Sequence, residues 1–211
     1  KRPTVDLALN LICTTPAEKL AHRAHFGSDA PLMRYRLLHL IAEPEQSKPT
    51  CLGRELHLDD QVISLLLNYN GLDPRLASYG QLVQPTISLE QLPLAPQIKQ
   101  GLTRLTLQYW QQERPLWLYF QGLDWTGKRH LAEALAQQAQ VPLLAINLAQ
   151  IVEAKVDFEL TLFLILREAW FQKAWVYLDR LDILSTDQHL TAYHTLLVAL
   201  ADVKVITILS G

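Results

Sequence analysis

The chain has 211 residues, of which 49% are hydrophobic and 19% are charged. This composition is typical of a globular protein with a buried core, and it excludes disordered and fibrous chains. The formal net charge of −2 disfavours a strongly basic nucleic-acid-binding protein. No apolar run reaches the roughly 18 residues that a membrane-spanning helix needs. Cys13 and Cys51 lie outside any metal-binding or disulfide pattern, so we expect reduced thiols and a cytoplasmic protein.

Both ends of the sequence look like internal positions of a longer chain. The sequence begins at Lys1 without a Met, and it ends at Gly211 directly after an apolar stretch of β type. We therefore expect this chain to be a piece of a larger protein.

Proline divides the sequence into two parts. Three prolines between residues 84 and 96 disfavour a helix there and predict a semi-extended linker. The segment before the linker, 1–83, carries nine basic and nine acidic residues. The rest of the chain, 84–211, carries ten basic and twelve acidic residues. We predict one domain on each side of the linker.

The first part begins with short helices. Thr4 is a candidate N-cap for a helix that starts at Val5. Thr15 and Glu18 have the spacing of a capping box, with a proline at the first helical position between them. The apolar residues of 32–41 predict a third helix.

The rest of the first part predicts a strand and a further helix. Partial alternation over 52–58 indicates a short strand. Asp59 is expected to cap the following helix, which Gly71 would end in the left-handed conformation. Three or four helices with a short strand suit a winged-helix-like bundle.

The second part alternates helices and strands. Leu116–Phe120 is apolar without alternation, so we expect a strand that is buried on both faces. The β-α-β-α order predicts an α/β domain with a parallel sheet and helices on both faces. The predicted elements are a helix at 98–112 and a strand at 116–120, then helices at 128–138, 158–173 and 189–201 and strands at 142–147, 175–178 and 203–209.

The strongest functional signal is Gly122-Leu-Asp-Trp-Thr-Gly127-Lys128-Arg129. It matches the phosphate-binding pattern G-x-x-x-x-G-K but lacks the Ser or Thr that normally follows the lysine. The glycines let backbone amides face a phosphate, and the lysine pairs with the outer phosphates at the start of a helix. We predict that Gly122, Thr126, Gly127, Lys128 and Arg129 bind ATP. The alternative interpretation is an ordinary βα turn with an exposed lysine.

A second signal is the apolar stretch that ends at Asp179, Trp175-Val-Tyr-Leu-Asp. An aspartate at the carboxyl end of such a parallel strand holds Mg²⁺ through water in nucleotide-binding folds. Asp179 is therefore our predicted magnesium residue. Taken alone, the pattern also fits a strand that simply ends at a polar loop.

Together these segments resemble an AAA+ ATPase module. The resemblance places a Walker A motif at 122–129, a Walker B motif at Trp175–Asp179 and the sensor 1 strand at 205–209. Ser210 follows that strand, and the resemblance brings it towards the γ-phosphate.

The first part of the chain adds to the resemblance. Short sequence segments in it are similar to the winged-helix-like segment that precedes the AAA modules of a bacterial ATPase family. The genes of that family often lie beside those of contractile injection systems. Members of that family tend to carry a degenerate first module and a well-formed second one. The matching segments are Arg2-Pro-Thr-Val-Asp-Leu-Ala-Leu, Phe26 with the later Ala30-Pro-Leu-Met-Arg-Tyr-Arg-Leu-Leu-His-Leu, and Gly71-Leu-Asp-Pro-Arg-Leu.

The resemblance implies an architecture and a set of partners. A winged-helix-like, mostly helical domain over 1–83 would precede an αβα P-loop domain over 97–211 that is incomplete at its C-terminus. The implied ligands are ATP and Mg²⁺, and the implied partners are further copies of the chain in an AAA+ ring and an unknown protein client. Nucleic acid and membrane are not expected partners.

The resemblance also implies a strand order. The strand at 205–209 would lie between Leu116–Phe120 and 175–178, with 142–147 on the far side. A fifth strand of this fold would pair beside Leu116–Phe120, and the predicted elements do not include it. An open apolar edge favours pairing with another molecule, so we expect the isolated chain to aggregate.

Departures from the AAA+ pattern indicate weak or absent hydrolysis. Arg129 replaces a hydroxyl that would ligate Mg²⁺, and a guanidinium cannot ligate a cation, although it can neutralise phosphate charge in place of the metal. Arg180 replaces the glutamate expected after Asp179 that would activate water. Asp124 and Trp125 add charge and bulk to the loop. Asp182 is interpreted as a solvated acid near Arg180, or as a displaced water activator.

Two other functions fit the sequence less well. The second part can be an AAA-like scaffold for subunit packing that binds no nucleotide. The first part can be a DNA-binding winged helix, in which Arg34 and Arg36 would contact phosphates. The equal numbers of acidic and basic residues in 1–83 favour a solvated face for that arginine pair.

Overall fold

The computed structural model describes residues 3–42, 50–69, 71–123, 126–201 and 203–211. The chain divides into two compact units, Lys1–Asn70 and Gly71–Gly211. The first unit ends earlier in the sequence than residue 83, the end of the predicted first domain. The segment from Gly71 to residue 83 belongs to the second unit. None of the helices in the described ranges has both the length and the hydropathy that a membrane crossing requires.

The first unit combines short helices with a small antiparallel sheet. Thr4 Oγ1 accepts a hydrogen bond from the Leu7 N–H at 3.2 Å, and Thr15 with Glu18 forms the predicted capping box. Val5, Leu9 and Cys13 form a small buried cluster. The elements of this unit are α1 (Val5–Ile12), α2 (Pro16–His22), α3 (Pro31–Arg34), β1 (Leu38–Ile41), β2 (Glu55–Leu58) and α4 (Asp60–Leu66).

Two details of the first unit correct the sequence prediction. The predicted helix over 32–41 is wrong, since α3 ends at Arg34 and the following residues form β1, paired antiparallel with β2. Arg36 interrupts the helix with a φ of 50°. Gly71 does not end α4, because the helix stops at Leu66 and Asn68 takes the left-handed conformation with a φ of 58°.

The second unit is a five-stranded sheet between helices. The strand order is β3-β5-β6-β7-β4, and all neighbours are parallel except β3 and β5. The predicted order of the four parallel strands is confirmed, with β7 between β4 and β6. The elements are β3 (Gly80–Val83), α5 (Pro96–Gln111), β4 (Leu116–Phe120), α6 (Lys128–Gln138), β5 (Leu143–Asn147), α7 (Leu148–Glu153), α8 (Phe158–Phe171), β6 (Trp175–Asp179), α9 (Leu190–Ala201) and β7 (Ile206–Ser210).

The strand β3 was not predicted from the sequence. It pairs antiparallel with β5 and places Gly80 opposite Ile146. A Cβ at Gly80 would overlap the carbonyl oxygen of Ala145, so the close approach of the two strands needs a glycine. The predicted linker also packs on this unit, since Leu89 is buried in the core beside α6.

Ion pairs fix the segment that leads into β3. Asp73 Oδ2 accepts from Arg75 Nη2 at 2.6 Å and from Arg167 Nη2 of α8 at 3.3 Å. Asp73 and Arg167 are both buried. The neighbouring Glu168 is fully buried, and burial raises the pKa of its carboxyl group. Charged groups in the interior thus join this segment to the helix layer.

Apolar cores lie on both faces of the sheet. On one face, α7, α8 and α9 bury residues such as Ile165 and Leu200. On the other face, α5 and α6 pack Leu135 and other residues against the sheet, and Trp110 meets Trp175 edge to face at 6.2 Å. The two cores fix the strands whose carboxyl ends form the candidate site.

The edge strand β4 is less buried than predicted. The expectation that it is buried on both faces is wrong, because Trp117 is 42% exposed and Tyr119 is 54% exposed. Within the described ranges, β4 pairs with β7 alone, so its other edge has no strand beside it. Aggregation through this edge stays a prediction.

Candidate phosphate-binding site

The loop between β4 and α6, described apart from residues 124–125, carries the predicted phosphate-binding motif. Gly127 is the N-cap of α6 and has a φ of 85°, in the left-handed region that favours glycine. Thr126 Oγ1 donates to the carbonyl oxygen of Leu123 at 2.8 Å and closes the turn on itself. The predicted effects of Asp124 and Trp125 lie outside the described residues.

Lys128 lies where this loop meets the ends of two strands. Its Nζ donates to the carbonyl oxygen of Gly122 at 2.7 Å and to that of Gly211 at 3.2 Å. The Gly122 N–H also donates to the Gly211 carbonyl at 3.3 Å, and the Gly211 N–H donates to that of Phe120. The structure therefore brings Gly122, Gly127 and Lys128 together, at the carboxyl ends of β4 and β7.

Asp179 and Ser210 form a second group beside the loop. They end the neighbouring strands β6 and β7, and Ser210 Oγ donates to Asp179 Oδ1 at 2.9 Å. Tyr177 donates its hydroxyl to the same oxygen at 3.2 Å. Burial is the main reason that the pKa of Tyr177 rises to about 12, so the phenol stays a donor at neutral pH.

Sequence reasoning missed Tyr177. Residues two apart on a strand point to the same face of the sheet, and this rule places the side chains of Tyr177 and Asp179 together. A polar hydroxyl at that spacing, within an otherwise apolar strand, was the signal available.

Arg129 is held by two residues that the sequence analysis also missed. Its Nε donates to Glu133 Oε1, one helical turn later, at 2.9 Å. With the amide oxygen of Gln81 turned towards it, Arg129 Nη1 donates to that oxygen at 3.2 Å. The i, i+4 spacing of Arg129 and Glu133 pointed to the first contact. Gln81 was not identifiable, because β3 was not predicted.

Of these side chains, Gln81, Arg129, Tyr177 and Asp179 line a polar cleft of about 300 Å³, and Lys128 and Ser210 are not among its lining residues. It opens at the carboxyl ends of β5 and β6, which is where parallel α/β sheets bind ligands. One cation and one anion, Arg129 and Asp179, face it together with amides and hydroxyls. Its lining residues are Ala77, Ser78, Tyr79, Gly80, Gln81, Arg129, Ala145, Ile146, Asn147, Gln150, Tyr177 and Asp179.

Arg180 lies directly after Asp179 at the position expected for a water-activating carboxylate. It has a φ of 62°. Its Nε lies 3.9 Å from Asp182 Oδ1, and both side chains are about half exposed. Asp182 is thus the solvated acid near Arg180 that one interpretation predicted. No carboxylate occupies position 180.

The donor set around Asp179 does not fit a magnesium ion. In the described part of the chain, no group of three or more His, Cys, Asp or Glu residues is placed to hold a metal. Asp179 Oδ1 already accepts from two hydroxyls. Position 129, where a phosphate loop supplies a hydroxyl ligand, holds a guanidinium that has no lone pair to offer a cation.

Comparisons with known proteins agree with the two-unit architecture. Residues 1–80 match the family model described as "Winged helix domain, variant". The chain is similar to the crystal structure of the FIGL-1 AAA domain, with a TM-score of 0.54 and 16% identity over 78% of this chain and 57% of that chain. The structure of that domain in complex with ADP gives a TM-score of 0.52 and 15% identity over 73% of this chain and 55% of that chain.

The chain combines a winged-helix domain with an AAA+ fold. It spans just over half the length of those solved structures. At these identities the similarity shows the fold alone. No curated protein matches the sequence. The bacterial family beside contractile injection systems stays a prediction that none of these comparisons tests.

Proposed function

We propose that the second unit is an ATP-binding AAA+ module with weak or absent hydrolysis. The observation that carries this proposal is the position of the Lys128 ammonium, which bridges the carbonyl oxygens of Gly122 and Gly211 at the N-terminus of α6. The positive charge of Lys128 thus lies beside the loop to which the motif assigns phosphate binding.

The local electrostatics favour an anion at this position. The N-terminus of a helix carries a partial positive charge, and its first amides have no partner within the helix. Lys128 now donates to neutral carbonyl groups. A phosphate oxygen would be a stronger acceptor, because its negative charge adds direct attraction to the ammonium. An arriving phosphate can therefore displace the two carbonyls.

The identity of the residue after Asp179 supports the proposal that hydrolysis is weak or absent. Arg180 carries no group that can accept a proton from water, and the acid paired with it, Asp182, is exposed to solvent. Loss of a general base lowers the rate by about 10²–10⁴. We infer that nucleotide binding in this module serves assembly more than turnover.

The AAA+ fold also supports the proposed partners, as would the proposed ATP site. We extend the proposal to a homo-oligomeric assembly that acts on a protein client in the cytoplasm. Hydrolysis in that assembly would come from a different, complete module. A nucleotide that stays bound here would then act as a structural part of the assembly.

The test is a titration of a fluorescent ATP analogue into the full chain. Lys128→Ala removes charge-assisted contacts worth about 1.5–3 kcal/mol, so we expect its dissociation constant to rise by about tenfold or more. Lys204→Ala removes an exposed lysine near the opposite end of β7 and should bind like the wild type. Circular dichroism should show that both variants are folded. Equal affinities of wild type and Lys128→Ala would overturn the assignment of the loop.

A further inference from the structure

The loop carries a fixed cation at the position of its missing metal ligand. Arg129 is the second residue of α6 and directly follows Lys128. In a phosphate loop this position supplies the hydroxyl that binds Mg²⁺. The substitution does more than remove a ligand, because it adds a permanent positive charge to the cleft that Asp179 also lines.

Two partners hold the Arg129 guanidinium at the cleft. Glu133 accepts from its Nε on one side, and Gln81 of β3 accepts from Nη1 on the other. Glu133 is largely buried, whereas Arg129 is partly exposed, so the arginine keeps access to a ligand. A guanidinium held in this way loses little further side-chain entropy when it binds an anion.

The arginine shares the cleft with Asp179. Both residues line it, and Tyr177 lies close to both. After burial, which raises the pKa of Tyr177 most, the charge of Asp179 raises it further and the charge of Arg129 lowers it. The cleft therefore contains a cation as well as the acid that would hold Mg²⁺, and a divalent ion would be repelled by that cation.

We propose that Arg129 takes the place of Mg²⁺, so that a nucleoside triphosphate binds this module without a divalent cation. This inference rests on the proposed function. The outer phosphates would lie between Lys128 and the guanidinium, which can form charge-assisted hydrogen bonds to phosphate oxygens in addition to its contacts with Glu133 and Gln81. Asp179 keeps its hydrogen bonds from Ser210 and Tyr177 instead of holding metal-bound water.

The inference predicts how affinity depends on magnesium. A fluorescent ATP analogue is titrated into the full-length chain twice, once with Mg²⁺ and once with EDTA. We expect the two dissociation constants to agree within about threefold, a difference below 1 kcal/mol. A loss of affinity of about tenfold or more in EDTA would overturn the inference but leave the proposed function standing. Absence of saturable binding in both buffers would overturn the proposed function itself, and the inference with it.

Variants at position 129 test whether Arg129 is the reason that ATP binding does not need Mg²⁺. Arg129→Thr restores the usual hydroxyl, so its affinity in EDTA should fall by about tenfold or more and should recover with Mg²⁺. Removing the arginine leaves Glu133 without its ion pair, so the double variant Arg129→Thr/Glu133→Gln provides the same test in a chain without that unpaired acid. Arg104→Ala, which removes an exposed arginine on α5, is the matched control and should behave like the wild type. Unchanged affinity of both threonine variants in EDTA would overturn the inference.

Discussion

Ser210 Oγ donates a hydrogen bond to Asp179 Oδ1 at 2.9 Å and so joins the carboxyl ends of β7 and β6. Ser210 is fully buried. Tyr177 donates to the same oxygen, so two neutral hydroxyls solvate one carboxylate. Such bonds hold the aspartate in a fixed position beside the loop, and they satisfy its charge without a metal ion.

Ser210→Ala should therefore destabilise the second unit. The substitution removes a hydrogen bond to a charged acceptor, and we expect the free energy of unfolding in urea to fall by about 1–3 kcal/mol. Ser185→Ala, at an exposed serine near the end of the turn after β6, is the control and should change it by less than about 0.5 kcal/mol. Equal stabilities of Ser210→Ala and wild type would show that this bond is not formed in solution.

A pair of glycine substitutions tests β3. Gly80→Ala should destabilise the chain by about 1–3 kcal/mol, because its Cβ would overlap the Ala145 carbonyl and Ile146. Gly101→Ala, in the middle of α5 with no neighbouring atom within 4 Å of its Cβ, should stabilise it by about 0.5–1 kcal/mol. Urea unfolding gives both values. If Gly80→Ala is as stable as the wild type, the pairing of β3 with β5 is wrong.

The failure to predict β3 has a physical cause. Gly80–Val83 is a short strand whose residues form no run of apolar or β-branched side chains. Its pairing depends on the close approach of Gly80 to Ala145 and on the buried ion pair of Asp73 with Arg167, which are contacts distant in sequence. Local patterns carry no information on such contacts.

The central strands were predictable because buried strands appear in the local sequence as short apolar runs. Trp175–Asp179 and Leu143–Asn147 are apolar runs with buried residues in the structure. The same reasoning failed for Leu116–Phe120, where Trp117 and Tyr119 are partly exposed, because an edge position is not visible in one strand's sequence. Among the site residues, the motif identified Lys128, but its contacts with Gly211 depend on the sheet order.

Glu168 gives the stability of the chain a predictable pH dependence. Burial raises the pKa of Glu168 in the folded state above its value in the unfolded chain. The carboxyl therefore opposes folding least below the unfolded-state pKa, and stability is lost as the pH rises through the raised folded-state pKa. Glu168→Gln abolishes this titration and keeps an oxygen that can accept from Gln172.

The stability of Glu168→Gln relative to wild type should consequently increase with pH. Urea unfolding between about pH 4 and pH 8 checks this direction. Glu159→Gln, an exposed acid on the same helix, is the control and should give a nearly constant difference. A Glu168→Gln difference that does not change with pH would contradict the raised pKa.

Hydrolysis provides a further prediction. The wild-type chain should turn over ATP far more slowly than about 1 s⁻¹, the lower end of ordinary enzyme rates. Arg129→Thr/Arg180→Glu supplies both the hydroxyl and the carboxylate that the loop and β6 lack, so its rate should rise above that of the wild type in the presence of Mg²⁺. Arg129→Thr/Arg180→Gln has no proton acceptor at position 180 and should stay slow. Wild-type turnover at or above about 1 s⁻¹ would contradict the proposed loss of the general base.

Isothermal titration calorimetry of unlabelled ATP into the full-length chain, in buffer that contains EDTA, tests the central claim most directly. Phosphate coordination by Lys128 and Arg129 predicts a saturable isotherm with one ATP per chain, and Lys128→Ala should weaken it by about tenfold or more. The same isotherm for wild type and Lys128→Ala, or no saturable heat at all, would contradict the account of this site.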